Sequence, residues 1–268
     1  MNRKYIVLIA AFVLNCVMAT AQEKPAVSAE ELAKKLSNPV AALISVPFQD
    51  NMDIGIGTYN GSKNTLNFQP VIPLSLSGKL NLITRYIIPI VSQRNITGQG
   101  ASQSGLSDAV VSAWFSPAEA KNGLTWGLGP VFLVPIATND LLGTKKFGVG
   151  PTALVLKQSH GWTVGGLVNQ IWSVAGDASR SDVNQMFIQP FFSYNWKSGA
   201  GVSVNTEITR NWTAANTAAF VIPALTAVTK MGTQIVSFAV GPRIQVAAPS
   251  GAKADLGVRA AVTLVFPK

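Results

Sequence analysis

Among the charged side chains inside stretches whose residues alternate between apolar and polar, six stand out: Asp53, Arg85, Asp108, Glu207, Arg243 and Arg259. Three are acids and three are bases, and period-two counting puts all six opposite the apolar face. Gln69 and Gln189 share their side, as do Asn67, Asn81, Gln185, Asn205, Thr209, Asn211 and Gln245. Balanced charges on an interior face can pair across the enclosed space and stiffen it. They can also form a binding or selectivity site on a path through it. The same face is partly apolar, at Ile83, Ile87, Val91, Val131, Leu133, Leu154, Leu156, Phe187 and Phe191, so it is less polar than a wide water-filled passage requires.

Other residue types with catalytic potential form no constellation. His160 is the only histidine and falls in a predicted turn, which speaks against a His-dependent hydrolase and a His-based metal site. Gly127-Leu128-Gly129-Pro130, Gly148-Val149-Gly150-Pro151 and Val240-Gly241-Pro242 echo a nucleotide loop, but no Lys-Ser/Thr and no helix follows them. They read as strand glycines. Asn60, Asn95 and Asn211 head glycosylation-type triplets, which bring no chemistry of their own. The reading is non-enzymatic, with no cofactor and no metal.

The elements that position the six charges follow from composition. Only 12% of the 268 residues are charged while 48% are hydrophobic; a soluble domain carries about 25% charged residues. Beyond the N-terminus no apolar run approaches the roughly 20 residues of a spanning helix. The apolar residues are instead spread over every second position. Twelve such segments can be counted, at 51–58, 65–76, 80–91, 105–115, 124–137, 147–157, 162–173, 184–196, 202–212, 219–230, 234–246 and 254–266. Most reach the roughly 9–11 residues of a tilted membrane strand. Their connections alternate between generally short turns and longer loops rich in Gly, Ser, Asn and Thr, which a soluble sandwich has no reason to produce.

Aromatic residues cluster at the predicted strand ends. Trp126, Trp162 and Trp196 join Phe115, Tyr194 and Phe266 at the turn end, and Trp172 and Trp212 join Phe147 at the loop end. Two such bands match the girdles of a membrane barrel. Prolines recur inside the strands, at Pro70, Pro73, Pro89, Pro130, Pro135, Pro151, Pro190, Pro223 and Pro242. A proline removes a ladder donor, so bulges or kinks are expected at several of them.

The N-terminus carries Arg3 and Lys4, an apolar stretch from Tyr5 to Met18, and Ala19-Thr20-Ala21. That is the layout of a secretory signal peptide with cleavage after Ala21. A lipoprotein signal at Cys16 is the competing reading, and Asn15 fits it poorly. Cleavage lowers the formal charge from +9 to +7 and removes the only cysteine. The basic residues are scattered singly, which excludes a nucleic-acid groove and suits anionic headgroups. Ser28 and Glu31 form a capping box for a short helix over 29–36, with Leu32 and Leu36 on one face able to dock. Residues 39–49 read as an apolar connector.

Several stretches resemble a family of bacterial outer-membrane transporters named for an assumed role in the meta-pathway of phenol degradation, some of whose members carry the misnomer neuromedin U. The residues are Leu32 to Ala41, Ile44 to Gln49, Gln69 to Pro73, Asn81 to Arg85, Gly127 to Pro130, Gln189 to Phe191 and Phe266-Pro267-Lys268. The resemblance implies uptake of small aromatic compounds. Pro267-Lys268 after Phe266 departs from the usual final aromatic read by barrel-assembly machinery.

The sequence therefore predicts an all-β protein, a transmembrane antiparallel β-barrel of about twelve strands in the bacterial outer membrane. Residues 1–21 are the signal peptide, 22–50 a helix and connector able to enter and plug the lumen, and 51–268 the barrel. The expected partners are outer-membrane lipid and lipopolysaccharide, barrel-assembly machinery, and small hydrophobic or amphiphilic solutes, with no nucleic acid. Passive passage of such solutes is the first functional reading. A structural barrel closed by its N-terminal segment is the second, and an outer-membrane hydrolase the least favoured.

Overall fold

In the lipid interior every backbone donor and acceptor must find a partner within the protein, so a sheet can cross only if it closes on itself. The computed structural model, which describes residues 29–41 and 43–266, shows this closure. The signal peptide, Cys16, the Ser28 cap and Pro267-Lys268 lie outside the described residues.

Fifteen ladder segments form one antiparallel sheet. They are β1 (Ile44–Ile56), β2 (Gly61–Phe68), β3 (Val71–Ser77), β4 (Leu80–Arg94), β5 (Ser102–Leu106), β6 (Ala109–Pro117), β7 (Leu124–Val134) and β8 (Lys146–Ser159). The rest are β9 (Trp162–Gly176), β10 (Asn184–Asn195), β11 (Ala200–Asn211), β12 (Asn216–Met231), β13 (Gln234–Pro242), β14 (Ile244–Ala247) and β15 (Leu256–Phe266). β2 and β3 are two parts of one wall strand, as are β5 with β6 and β13 with β14, which gives a closed barrel of 12 strands. The first strand pairs with the last, from Ile44 opposite Phe266 to Ile54 opposite Leu256. One short helix, α1 (Ala29–Leu36), precedes the ring.

The barrel begins earlier than the sequence suggests. Residues 44–50 belong to β1 and not to a connector, so the expected boundary at residue 51 moves to Ile44. Alternation fails there because Pro47, Gln49 and Asp50 dilute the pattern, and only pairing with β15 reveals the strand.

The expected irregularity at prolines is partly met. The ladder breaks at Gln69-Pro70 and at Arg243 after Pro242. The register shifts lie elsewhere, between Ile54 and Ile56, Ser75 and Ser77, Phe147 and Gly148, and Ala219 and Phe220. The echoing Gly-Pro steps have a packing reason. A Cβ on Gly150 would run into the Gln170 carbonyl oxygen of β9, and one on Gly241 into the Pro223 carbonyl oxygen of β12. The strands approach most closely where the proline has taken away a donor, and only glycine fits.

Outward positions are apolar and exposed along most strands, for example Leu74, Leu128, Val155, Val164, Leu225 and Val258. Inward positions divide the lumen. On one side Val71, Ile83, Trp114, Leu154, Leu156 and Leu167 bury one another. Nearer the loop end Val131, Leu133 and Ile171 continue that dry packing.

Gly150→Val should lower stability by about 1–3 kcal/mol through overpacking. Gly166→Val on the neighbouring strand, where the nearest atom to a new Cβ is 3.9 Å away, should cost little. Heat-modified gel mobility across a urea series reads both.

Candidate functional site

The charges predicted on the inward face gather on the side of the lumen opposite the dry packing. Asp53, Arg85, Glu207, Arg243 and Arg259, with Gln69 and Gln189, line one cavity of about 520 Å³. It reaches the loop end through Ile96, Ala252 and Ala254. A second cavity of about 220 Å³ lies beyond it and is lined by Lys35, Leu36, Asn38, Pro39, Ala41 and Leu43 of the N-terminal segment. Gln69 and Arg85 border both cavities and mark the boundary, here called the neck, between them.

Two ion pairs brace the larger chamber. The Arg259 guanidinium grips Glu207 with both ends of its fork, Nη1 to Oε1 at 2.7 Å and Nη2 to Oε2 at 2.9 Å, while its Nε donates to Asn51 Oδ1 at 2.6 Å. Bidentate pairing of this kind fixes direction as well as distance. Arg243 pairs with Asp53 and lies flat over the Phe220 ring, 3.3 Å from its centre. Both pairs bridge strands along one arc of the ring, Arg259 of β15 reaching Glu207 of β11 and Arg243, between β13 and β14, reaching Asp53 of β1.

Two residues that pattern reading passed over, Lys63 and Asn51, line the chamber, and a third, Trp114, stands behind Arg85. Lys63 faces the chamber from β2, in a stretch that reads as loop because it is Gly- and Asn-rich. Asn51 is buried and supplies the third acceptor atom for Arg259, beside the two oxygens of Glu207. Trp114 is wholly buried, donates to Thr152 at 3.1 Å, and carries Arg85 over its ring at 5.4 Å. Its position opposite the lipid-facing residues of β6 was the available signal.

Asp108 needs correction as a chamber residue. It is buried, but its carboxylate accepts from Thr144 N and Thr144 Oγ1 at 2.6 Å each, and from Ala137 N at 3.4 Å. It anchors the loop over 135–145 and does not border either cavity. Arg180 ties the next loop to the same one by donating to the Asp140 and Gly143 carbonyls. At that rim Asp182 is held below the usual carboxylate range by hydrogen bonds from Lys146 and Ser173 and by the Lys146 charge.

The N-terminal helix sits at the opposite mouth. Leu32 and Ala33 are buried against Val228, Ile235 and Val265, with Leu36 partly buried beside them. Gln158 Nε2 donates to the Lys34 carbonyl at 2.7 Å, and Asn195 Nδ2 to Ser37 Oγ at 3.0 Å. Val40 reaches across to the dry side and packs with Ile83 and Trp114.

The five tryptophans proposed as girdles are all exposed. Trp162 stacks obliquely with Phe192 and Tyr194, and Tyr194 meets Trp196 edge-on, next to the turn end. Trp126 lies near the same end in β7. Trp172 and Trp212 lie near the loop end, where Trp212 donates to Gln170 and sits under Arg210. His160 contacts only Ser159 among the described side chains, at 2.8 Å on an exposed turn. No group of His, Cys, Asp or Glu able to hold a metal occurs among the described residues.

A closed antiparallel ring, apolar outside and holding polar chambers within, is the architecture of a membrane-crossing β-barrel. The chain is similar to the crystal structure of an outer-membrane channel from Pseudomonas putida F1, with a TM-score of 0.66 and 16% identity over 92% of this chain and 100% of that one. The likeness establishes the shared fold. No protein-family model matches the chain, and no curated protein does.

Glu207→Gln should destabilise the barrel by about 3 kcal/mol, because Arg259 keeps its buried charge and loses its partner. Replacing both residues by Met should cost clearly less than the two single changes added together. Urea unfolding followed by intrinsic fluorescence measures the cycle. Asp182 titrates below its unfolded value, so its clamp is complete above about pH 4 and is lost as pH falls through the depressed value. Amide protection over 177–183, taken relative to the intrinsic exchange rate at each pH, should persist at pH 5 and fall only under stronger acid, and Asp182→Asn should lower it at neutral pH.

Proposed function

We propose that this protein is a passive channel of the bacterial outer membrane for small, partly hydrophobic solutes. The observation that carries the reading is the succession of two cavities inside a closed barrel. They run from the loop end to the N-terminal segment and meet at Gln69 and Arg85. A chamber of this size, polar on one side and backed by packed apolar residues on the other, suits a small amphiphilic molecule better than bulk water flow. The apolar outer wall with tryptophans at both ends, and the likeness to an outer-membrane channel, support the location. In this reading the wall faces lipid, and the loop end faces lipopolysaccharide. The family resemblance adds small aromatic compounds to the solutes worth testing.

A second reading has one specific observation in its favour. The N-terminal segment packs against both sides of the turn-end mouth, through Leu32 and Ala33 on one and Val40 on the other. That arrangement would suit a barrel closed for a structural or interaction role.

Liposome swelling and single-channel conductance separate the two. The full chain should pass small solutes at a low rate. Deleting residues 22–43, which stops short of β1, should raise conductance several-fold. A barrel that is folded yet impermeable both before and after the deletion would sink the channel reading. Asn195→Ala, which removes the hydrogen bond to Ser37, should give an intermediate rise in open probability.

A further inference from the structure

We infer that the chamber and its neck select small organic anions, carboxylates on an apolar body, with Arg85 receiving the carboxylate. The inference rests on the channel reading and names its solute class.

Charge bookkeeping comes first. The chamber is lined by four cations, Lys63, Arg85, Arg243 and Arg259, and by two acids, Asp53 and Glu207. Both acids are engaged, Asp53 by Arg243 and Glu207 by both terminal nitrogens of Arg259. Lys63 and Arg85 are left without an ion pair among the described residues. A solute in this space therefore meets two positive charges that no protein carboxylate has taken, which repels cations and favours anions.

Arg85 is the better placed of the two. It makes no hydrogen bond to any described residue, and its Nε is buried without a partner. Neither terminal nitrogen shares that condition, and the side chain lines both cavities. The guanidinium is held from behind by the Trp114 ring, which in turn is fixed by its bond to Thr152. Such support leaves the fork pre-set for a planar, two-oxygen acceptor. Its place at the neck means that a solute passing from one cavity to the other must go by it.

The walls define the rest of the solute. Ile87 and Phe187 line the chamber, and Phe187 packs on the cluster that holds Trp114. An apolar body can lie on that side while its carboxylate meets Arg85. A neutral polar solute gains nothing from the free guanidinium, and a wholly apolar one leaves it unpaired.

The test uses the purified full chain in planar bilayers at pH 7, with potassium chloride, hexanoate and its uncharged counterpart hexanamide as probes. Reversal potentials should show anion preference. Hexanoate added to one side should reduce the chloride current by occupying the neck, and hexanamide should not. Arg85→Gln should raise the half-blocking concentration of hexanoate about tenfold, the loss of one charge-assisted fork. Arg85→Lys, which keeps the charge without the fork, should fall between them. Lys63→Gln should reduce the anion preference and leave most of the block. Gel mobility confirms that each variant is folded.

Cation preference in the unaltered protein, equal block by hexanamide, or block indifferent to Arg85→Gln would each overturn the assignment while leaving a conducting channel intact. Absence of any current, including after deletion of residues 22–43, would instead remove the channel reading on which it rests.

Discussion

Ring closure is the constraint on which the rest of this structure depends. β1 and β15 pair along eleven successive positions, from Ile44 with Phe266 to Ile54 with Leu256. Without that seam two strand edges would lie open to lipid, where each unpaired backbone group costs several kcal/mol. Closure dictates which side of each strand faces out, and with it the period-two pattern. It also explains the small-residue steps in the wall. A proline can stand in a closed ladder only where the neighbouring strand approaches differently, and Gly129, Gly150 and Gly241 allow that approach immediately before Pro130, Pro151 and Pro242.

A closed ring of twelve strands encloses more space than a single row of inward side chains fills evenly. Here the space is shared unequally. The large apolar residues among the inward positions of β6 to β9 pack on one another, so that Trp114, Val131 and Leu156 have almost no contact with solvent. The facing strands present Asn, Gln, Asp, Glu and Arg, which cannot bury without partners. They pair laterally, leaving a chamber between themselves and the dry side. The stiffening and the path that competed as readings of the six charges are thus compatible. The Glu207–Arg259 and Asp53–Arg243 pairs keep the wall rigid, and Arg85, left out of both, borders the opening.

Much of this was legible in the sequence, for physical reasons that also mark where legibility stops. Alternation depends on having an apolar outer face and a lumen within, so it located eleven of the wall strands closely and put Asp53, Arg85, Glu207, Arg243 and Arg259 inward. It failed where a strand is locally polar on both faces. β1 carries Gln49, Asp50 and Asn51 in a row, so its first half reads as connector. The same stretch places Asp50 outward, where Asn64 donates to it at 2.8 Å, so not every strand charge faces the lumen. Lys63 was missed because β2 starts with Gly61-Ser62-Lys63-Asn64, turn-forming residues that are drawn into the ladder by β1 and β4. Asp108 was placed on the correct side, but no local pattern reveals that Thr144 would fold back to it from 36 residues away. Pairings between remote segments are properties of the closed ring and have no signature in either segment alone.

The N-terminal segment stands in a different energetic relation to the ring from every strand. The seam begins at Ile44, just after the segment ends, so withdrawing residues 29–41 leaves each ladder hydrogen bond in place. What would be lost is the burial of Leu32, Ala33 and Val40 and two hydrogen bonds, from Gln158 and Asn195. Those few contacts are set against the conformational entropy that thirteen released residues regain. The turn-end mouth is therefore held by a marginal balance, whereas the wall is held by an obligatory one. A barrel can keep its fold fixed while its narrowest passage varies only if those two balances are separate, and here they are carried by different residues.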